Sequence, residues 1–126
     1  MRMGMVVLLA MAWLVPSQAS AVDDDDFLAR TTEDLLALCT VGPEDDMADE
    51  AVHFCHGYLV GAFHFYRQMV AGPEVDSFVC LPDPPPSRNE GIEMFVSWAQ
   101  AHPEHMNEPP VETLFRFLVE TFPCPE

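Results

Sequence analysis

The stretch AVHFCHGYLVGAFHFYRQMV, residues 51–70, is the longest run in this chain whose apolar residues recur with the spacing of a helix. At 100° per residue, one side of such a helix is apolar. That side holds Ala51, Cys55, Tyr58, Leu59, Ala62, Tyr66 and Met69. Because a helix that is apolar over half of its circumference cannot be buried by a single neighbour, the stretch predicts a central helix with partners on several sides.

Three further helices are expected around it. A first helix is predicted to start at Thr31 or Thr32, either of which is a suitable N-cap, and to end near Cys39. The third helix opens with the capping-box pattern of residues 87–90, SRNE, and the fourth is predicted with Asn107 as its N-cap. The sequence therefore predicts an all-α fold, a small four-helix domain with a central helix and disulfide links.

The third and fourth helices carry apolar stripes that should face the core. On the third helix the stripe is Ile92, Phe95, Val96 and Ala99, and on the fourth it is Val111, Leu114, Phe115, Leu118, Val119 and Phe122. Residues 74–88 form a proline-rich connector between the central and third helices, and its prolines predict extended backbone. A run of four aspartates, residues 23–26, is expected to be extended or frayed.

The first 21 residues have the pattern of a secretory signal peptide. Arg2 gives a positive start, an apolar run spans residues 6–15, and Ala19-Ser20-Ala21 is a small-residue cleavage site. The apolar run is too short for a stable membrane span. We therefore expect residues 1–21 to be a signal peptide cleaved after Ala21, and residues 22–126 to be one helical domain without membrane attachment.

The composition is strongly acidic. The chain has 21 Asp and Glu residues against 5 cationic ones, all of them arginine, and a formal net charge of −16. Such a chain repels nucleic acid and anionic membrane surfaces. It attracts a basic partner and speeds its capture, although the same charge also serves solubility alone.

Four cysteines in a short exported chain predict two disulfides. Three pairings are formally open. The connection between the third and fourth helices is short, so these helices should be antiparallel, which brings Cys80 before the third helix near Cys124 after the fourth. Cys39 is then left to pair with Cys55, which requires the first helix to cross the central one.

The sequence offers little catalytic chemistry. Asp49, His53 and His56 lie on one polar face of the central helix, but the two histidines are three apart and lack the intervening Glu of a helical zinc-protease motif. A solvated polar face is favoured over a metal site. No GxSxG turn and no phosphate-binding glycine loop occur, and all four cysteines should be oxidised. We therefore predict a protein that is not an enzyme and that uses no cofactor or metal.

Several surface features are candidates for partner binding. Gly57 and Gly61 form a groove without side chains, which fits either a dimer or partner contact or, as favoured here, close packing against the first or fourth helix. Apolar side chains off the predicted stripes and acidic residues at the start of the central helix complete the set. These candidates are Met94, Trp98 and Phe117, together with Asp45, Asp46 and Asp49.

A set of short motifs resembles one known family. In chain order they are Cys39, CHGYLVG at residues 55–61, CLP at 80–82, AHPE at 101–104 and FPCP at 122–125. Together they resemble the Rap/Tai immunity-protein family over residues 31–125. The connector departs from that family's pattern, because DPPP at residues 83–86 stands where a turn and helix cap are usual.

The resemblance implies a small helical periplasmic protein of Gram-negative bacteria. Members bind and neutralise a peptidoglycan-cleaving amidase delivered by type VI secretion, covering or plugging its active cleft. The expected partner is therefore a cognate secreted amidase effector, with a homodimer as a second expectation. The alternative function is a periplasmic acid-stress chaperone or scaffold, whose carboxylates lose their charge in acid and whose apolar surface then opens.

Overall fold

The computed structural model describes residues 21–126, so the predicted signal peptide, apart from Ala21, lies outside the described residues. Within that range there are four α-helices and no strand longer than an isolated bridge. The helices are α1 (Thr32–Cys39), α2 (Ala48–Met69), α3 (Arg88–Gln100) and α4 (Pro110–Thr121). Single turns of 3-10 helix occur at Asp26–Leu28 and Pro103–His105. The predicted all-α fold with α2 as its long helix is confirmed.

Two of the predicted helix starts are confirmed by their hydrogen bonds. The Thr31 hydroxyl accepts the Asp34 N–H at 3.2 Å, and the Asp34 carboxylate accepts the Thr31 N–H at 3.0 Å. Ser87 and Glu90 form the same reciprocal pair at the start of α3. Hydrogen bonds from Ser87 hold the pKa of Glu90 below its usual value. Each capping box satisfies backbone N–H groups that have no partner inside the helix.

The prediction that Asn107 caps the fourth helix is wrong. The helix begins at Pro110, and Pro109 occupies the cap position without a side-chain hydrogen bond. Proline suits this first turn because its missing N–H would have no helical partner there. Glu108 instead anchors the turn to α1, since its carbonyl accepts both the N–H and the hydroxyl of Thr32 at 2.8 and 3.0 Å.

The buried face of α4 differs from the predicted stripe. Val111 and Val119 are exposed, whereas Phe117 is only 3% exposed, so the interpretation of Phe117 as a surface residue is wrong. Its ring packs against Phe95 at a centroid distance of 5.9 Å. The buried set on this helix is Pro110, Thr113, Leu114, Phe117 and Leu118. The helix is therefore rotated about its axis relative to the prediction.

The acidic start of the domain is ordered, not frayed. Aspartate side chains accept backbone N–H groups in this turn, as Asp23 does from Asp25 at 2.9 Å and Asp26 does from Asp23 at 2.9 Å. Next to it, Phe27 packs edge-on against Phe54 of α2 with centroids 5.6 Å apart. The aspartate carboxylates accept hydrogen bonds from nearby backbone N–H groups, and the Phe27 ring packs on α2. Together these contacts outweigh the repulsion between the exposed charges, which water and salt screen.

Both predicted disulfides are present. Cys39 at the end of α1 bonds to Cys55 inside α2, with Cα atoms 5.2 Å apart. Cys80 of the connector bonds to Cys124 after α4, with Cα atoms 4.8 Å apart. A bridge between Val79 and the residue before Cys124 runs beside the second disulfide. The two links tie α1 to α2 and the connector to the C-terminal segment.

Candidate functional site

A groove of about 300 Å³ opens between α2, the connector and α3. Its floor is apolar and includes the aromatic core residues Phe95 and Phe117. Residues of α2 and of the connector form its two walls. The full lining is Leu59, Val60, Phe63, His64, Arg67, Leu81, Pro85, Pro86, Ser87, Arg88, Gly91, Ile92, Phe95, Leu114, Phe117, Leu118 and Phe122. Concave, mostly apolar sites with a few polar groups are the usual form of a binding site.

The connector wall is held in place by one tyrosine. The phenolic oxygen of Tyr66 accepts the N–H of Phe78 at 3.0 Å and the N–H of Val79 at 2.9 Å. Ser77 Oγ lies 2.8 Å from that oxygen and donates to the Val79 carbonyl. Because the Ser77 proton is used there, the Tyr66 hydroxyl donates to Ser77. A buried side chain of α2 thus fixes the three residues that precede Cys80 and the groove wall.

The rim of the groove carries unpaired cations. Among residues 21–126, Arg67 and Arg88 form no ion pair with a described carboxylate, and both line the groove. The other two arginines in this range are paired: Arg30 lies 4.0 Å from a carboxylate oxygen of Asp25, and Arg116 bonds to two glutamates. In a chain with 21 acidic residues, this groove is therefore a local positive site.

Arg116 belongs to a separate charge cluster. Its guanidinium lies 2.9 Å from Glu108 and 2.7 Å from Glu112, and these contacts raise the pKa of Arg116. Desolvation raises the pKa of Glu108, but hydrogen bonds from His105 and Arg116 outweigh it and leave that pKa below the usual value. The cluster holds the turn before α4 to the outer face of that helix. The Arg116 guanidinium is therefore already paired within the molecule.

The predicted acidic candidates have different environments. Asp45 is half-buried, and its two carboxylate oxygens accept the N–H groups of Val22 at 3.1 Å and Met47 at 2.9 Å. Asp46 and Asp49 are exposed. Asp45 therefore serves the local fold, while the other two carboxylates remain available at the surface.

The predicted apolar candidates do not form one exposed patch. Met94 is exposed on α3. Trp98 is half-buried, and its ring stacks on His102 with centroids 3.9 Å apart. His102 Nδ1 lies 2.7 Å from the Trp98 carbonyl, so that nitrogen carries the proton. With Phe117 in the core, only Met94 of the three is freely accessible.

The polar face of α2 does not assemble a metal centre. His53 and Asp49 are exposed, and His56 is partly buried. Within residues 21–126 there is no group of three or more His, Cys, Asp or Glu side chains arranged to hold a metal ion. In the same range, no helix has the length and apolar character needed to cross a membrane.

The glycines of α2 face open space. A Cβ atom built on Gly57 or Gly61 meets no neighbouring atom within 4 Å, so the expected close packing inside the molecule is wrong. Four and eight residues after Gly61, Phe65 and Met69 lie on the same flank, and Phe65 is 68% exposed. Its position one turn beyond a glycine was the signal of an open apolar face.

Tyr58 lies between this flank and the core. Burial raises the pKa of its hydroxyl, and a backbone contact at Val111 partly offsets that effect. The side chain therefore stays neutral throughout the physiological range. Its ring stacks against Phe54 with centroids 6.4 Å apart, which extends the apolar character of the flank toward the start of α2.

Four helices and two disulfides around an apolar groove with cations on its rim define a small, disulfide-linked, all-α binding domain. A family model described as Rap1a immunity proteins matches residues 31–124. The chain belongs to this family of immunity proteins, which are generally non-enzymatic and bind a cognate effector, and the resemblance carried by its motifs is confirmed. Neither a curated protein nor a solved structure matched the chain.

Proposed function

We propose that this protein is a periplasmic immunity protein that binds and occludes a peptidoglycan amidase delivered by type VI secretion. The observation that carries the proposal is the family match over residues 31–124, which spans the whole described helical core. The two disulfides fit an oxidising compartment, and the signal-peptide pattern of residues 1–21 fits export to it.

Charge governs the approach of the partner in this proposal. A net charge of −16 steers an effector with a basic surface toward the protein and raises the association rate at low salt. Asp46 and Asp49, both exposed near the start of α2, and Met94 on α3 are proposed contacts. Asp45 is not proposed as a contact, because its carboxylate oxygens already accept two backbone N–H groups.

The groove is the proposed anchoring site. Its apolar floor receives an apolar side chain of the effector, and the two unpaired arginines at its rim donate hydrogen bonds to a neighbouring carboxylate. Arginine is well suited to this task, because its planar guanidinium binds a carboxylate with two parallel hydrogen bonds. The effector element is thus expected to carry an acidic residue next to an apolar one.

Arg67→Glu is expected to weaken effector binding by at least about tenfold, which corresponds to about 1.4 kcal/mol. The reversed charge repels the carboxylate that the groove is proposed to receive. Isothermal titration with candidate amidase effectors of the same bacterium, and survival of cells that express the effector in the periplasm, measure the loss.

Arg30→Glu is the matched control. It makes the same change in net charge at an exposed arginine outside the groove. Within residues 21–126 the one ion pair of Arg30 is with Asp25 at 4.0 Å. We expect a small change in association rate from the altered charge and no change in dissociation rate. Equal losses in both variants would mean that only long-range charge matters and that the groove does not anchor the effector.

The open flank of α2 is the proposed homodimer face. Phe65 is the most exposed large apolar side chain of the described residues, and the bare backbone at Gly61 allows a second helix to approach closely. Phe65→Asp is expected to raise the dimer dissociation constant at least about tenfold by placing a charge in the contact. Sedimentation velocity over a concentration series measures it.

Val75→Asp supplies the control for this prediction. Val75 is also exposed and apolar but lies in the connector, so the substitution adds the same charge away from α2. A dimer that weakens equally in both variants, or a wild-type protein that sediments as a monomer at all concentrations, would contradict a contact through the α2 flank.

A further inference from the structure

The first residue after the predicted cleavage site has an unusual environment for a chain terminus. Val22 is only 8% exposed and belongs to the hydrophobic core. Its backbone nitrogen lies 3.1 Å from Oδ2 of Asp45. The first residues of a domain are ordinarily poorly ordered unless specific contacts hold them. Here one apolar side chain and one carboxylate hold the residue that signal-peptide removal would expose.

The carboxylate that receives this nitrogen is itself firmly placed. Its second oxygen, Oδ1, accepts the N–H of Met47 at 2.9 Å, in the turn immediately before α2. Asp45 is half-buried in that turn. Both oxygens therefore have a defined direction, and Oδ2 points at the backbone nitrogen of Val22 across 23 residues of chain.

In the part of the chain that the structure describes, no cation pairs with the Asp45 carboxylate. Asp23 to Asp26 follow Val22, and Glu44 and Asp46 flank Asp45. No arginine or histidine within residues 21–126 forms an ion pair with Asp45. Like charges held near one another destabilise a fold, and a half-buried carboxylate with only neutral donors is incompletely compensated. A positive charge at this position would offset both effects.

We propose that cleavage after Ala21 supplies that charge, and that the new α-ammonium group of Val22 pairs with Asp45 as the last step of maturation. Signal peptidase, with one water molecule, hydrolyses the Ala21–Val22 peptide bond. The carboxylate remains on Ala21, and the amine of Val22 takes up a proton at neutral pH, because an ordinary α-amine has a pKa of about 8.

The neutral amide donor thereby becomes a cationic group with three N–H donors. The bond from the amide already has an ionised acceptor, and the ammonium adds the Coulomb attraction of an opposite charge at 3.1 Å. The pair holds residue 22, and with it the turn of aspartates, against the start of α2. Export processing would thus complete the fold at a place where the unprocessed chain offers only an amide. The inference rests on the proposed cleavage after Ala21.

Two measurements test the proposal separately. The first is the intact mass and N-terminal sequence of the protein recovered from the periplasm, which should begin at Val22. A different first residue would overturn the maturation step. The second is the effect of Asp45→Asn on urea unfolding in two chains, one that begins at Val22 and one that retains Ala21 and so displaces the amine by one residue.

In the chain that begins at Val22, Asp45→Asn is expected to increase the unfolding equilibrium constant about tenfold more than in the chain that retains Ala21, since only in the former does the substitution break an ion pair. Asparagine presents one amide oxygen in place of the carboxylate in both chains, so any change at the Met47 N–H cancels in the comparison. Asp46→Asn, at the exposed neighbour, should have the same small effect in both. An equal effect of Asp45→Asn in the two chains would overturn the ion pair even if cleavage occurs after Ala21.

Discussion

Replacing Cys80 and Cys124 together by alanine is expected to lower the free energy of unfolding by about 4 kcal/mol, the chain-entropy value for a loop of this length. The disulfide spans 44 residues of sequence, which include the second half of the connector, α3 and α4. Without it, the unfolded chain regains the freedom of that whole loop. Single domains are stable by only about 5–15 kcal/mol, so the change removes a large part of the total.

Loss of this disulfide should also change the shape of the groove. Next to this disulfide, the Cys80 N–H donates to the Phe122 carbonyl at 2.8 Å, and Leu81 and Phe122 line the groove. Urea unfolding followed by circular dichroism measures the stability, and effector titration measures the groove. Without urea the variant should still be folded, and we expect it to bind the effector more weakly than the wild type does.

The other disulfide supplies the comparison. Cys39→Ala with Cys55→Ala opens a loop of 16 residues, for which chain entropy gives about 3 kcal/mol. Cys55 is buried inside α2, so the alanine also removes packed sulfur from the core. It leaves the groove wall untouched. If the free energy of unfolding of the Cys80→Ala, Cys124→Ala variant lies within about 1 kcal/mol of the wild-type value, this disulfide is not a main source of stability.

Local signals allowed much of the fold to be predicted. The capping boxes at Thr31 and Ser87 are short patterns with a direct hydrogen-bonding meaning, and both are present. The disulfide pairing followed from one inference, that a short connection makes α3 and α4 antiparallel. Both predictions depend on neighbouring residues or on a single turn, so they needed no knowledge of the packed core.

Two of the predictions that failed, the buried stripe of α4 and the packing of the α2 glycines, depend on rotation about a helix axis. On α4, Val111, Phe115 and Val119 form one helical stripe, while Leu114, Phe117 and Leu118 form another beside it. Periodicity shows that both arcs are apolar but does not say which one meets the core. Packing against Phe95 and α1 selected the second arc. The same limit applied to α2, where the glycine flank proved open and not covered.

The groove could not be predicted from the sequence, for a different reason. Arg67 and Arg88 are 21 positions apart and belong to different helices, and only the folded connector brings them to one rim. A useful signal was nevertheless present: the scarcity of cations in so acidic a chain makes the location of each arginine informative. The role of the Tyr66 hydroxyl could not be predicted, because its hydrogen-bond partners lie in a segment without regular structure.

Tyr66→Phe is expected to destabilise the protein by about 3 kcal/mol, although it removes a single oxygen atom. Tyr66 is only 4% exposed, and its hydroxyl is the acceptor for the backbone N–H groups of Phe78 and Val79. Val79 is itself buried, so its N–H would be left without a partner away from water. An unsatisfied buried donor costs about 1–3 kcal/mol, and two N–H groups lose their acceptor here.

Tyr58→Phe is the matched control, because it makes the same chemical change on the same helix at a half-buried site that does not bind the connector. Its effect should remain within about 1 kcal/mol. Urea unfolding gives both values, and amide hydrogen exchange should show faster exchange at Val79 in Tyr66→Phe alone. Because residues 77–79 lead directly into Cys80 and the groove wall, that variant should also bind the effector more weakly. If exchange at Val79 is unchanged, the connector is held by the disulfide and not by Tyr66.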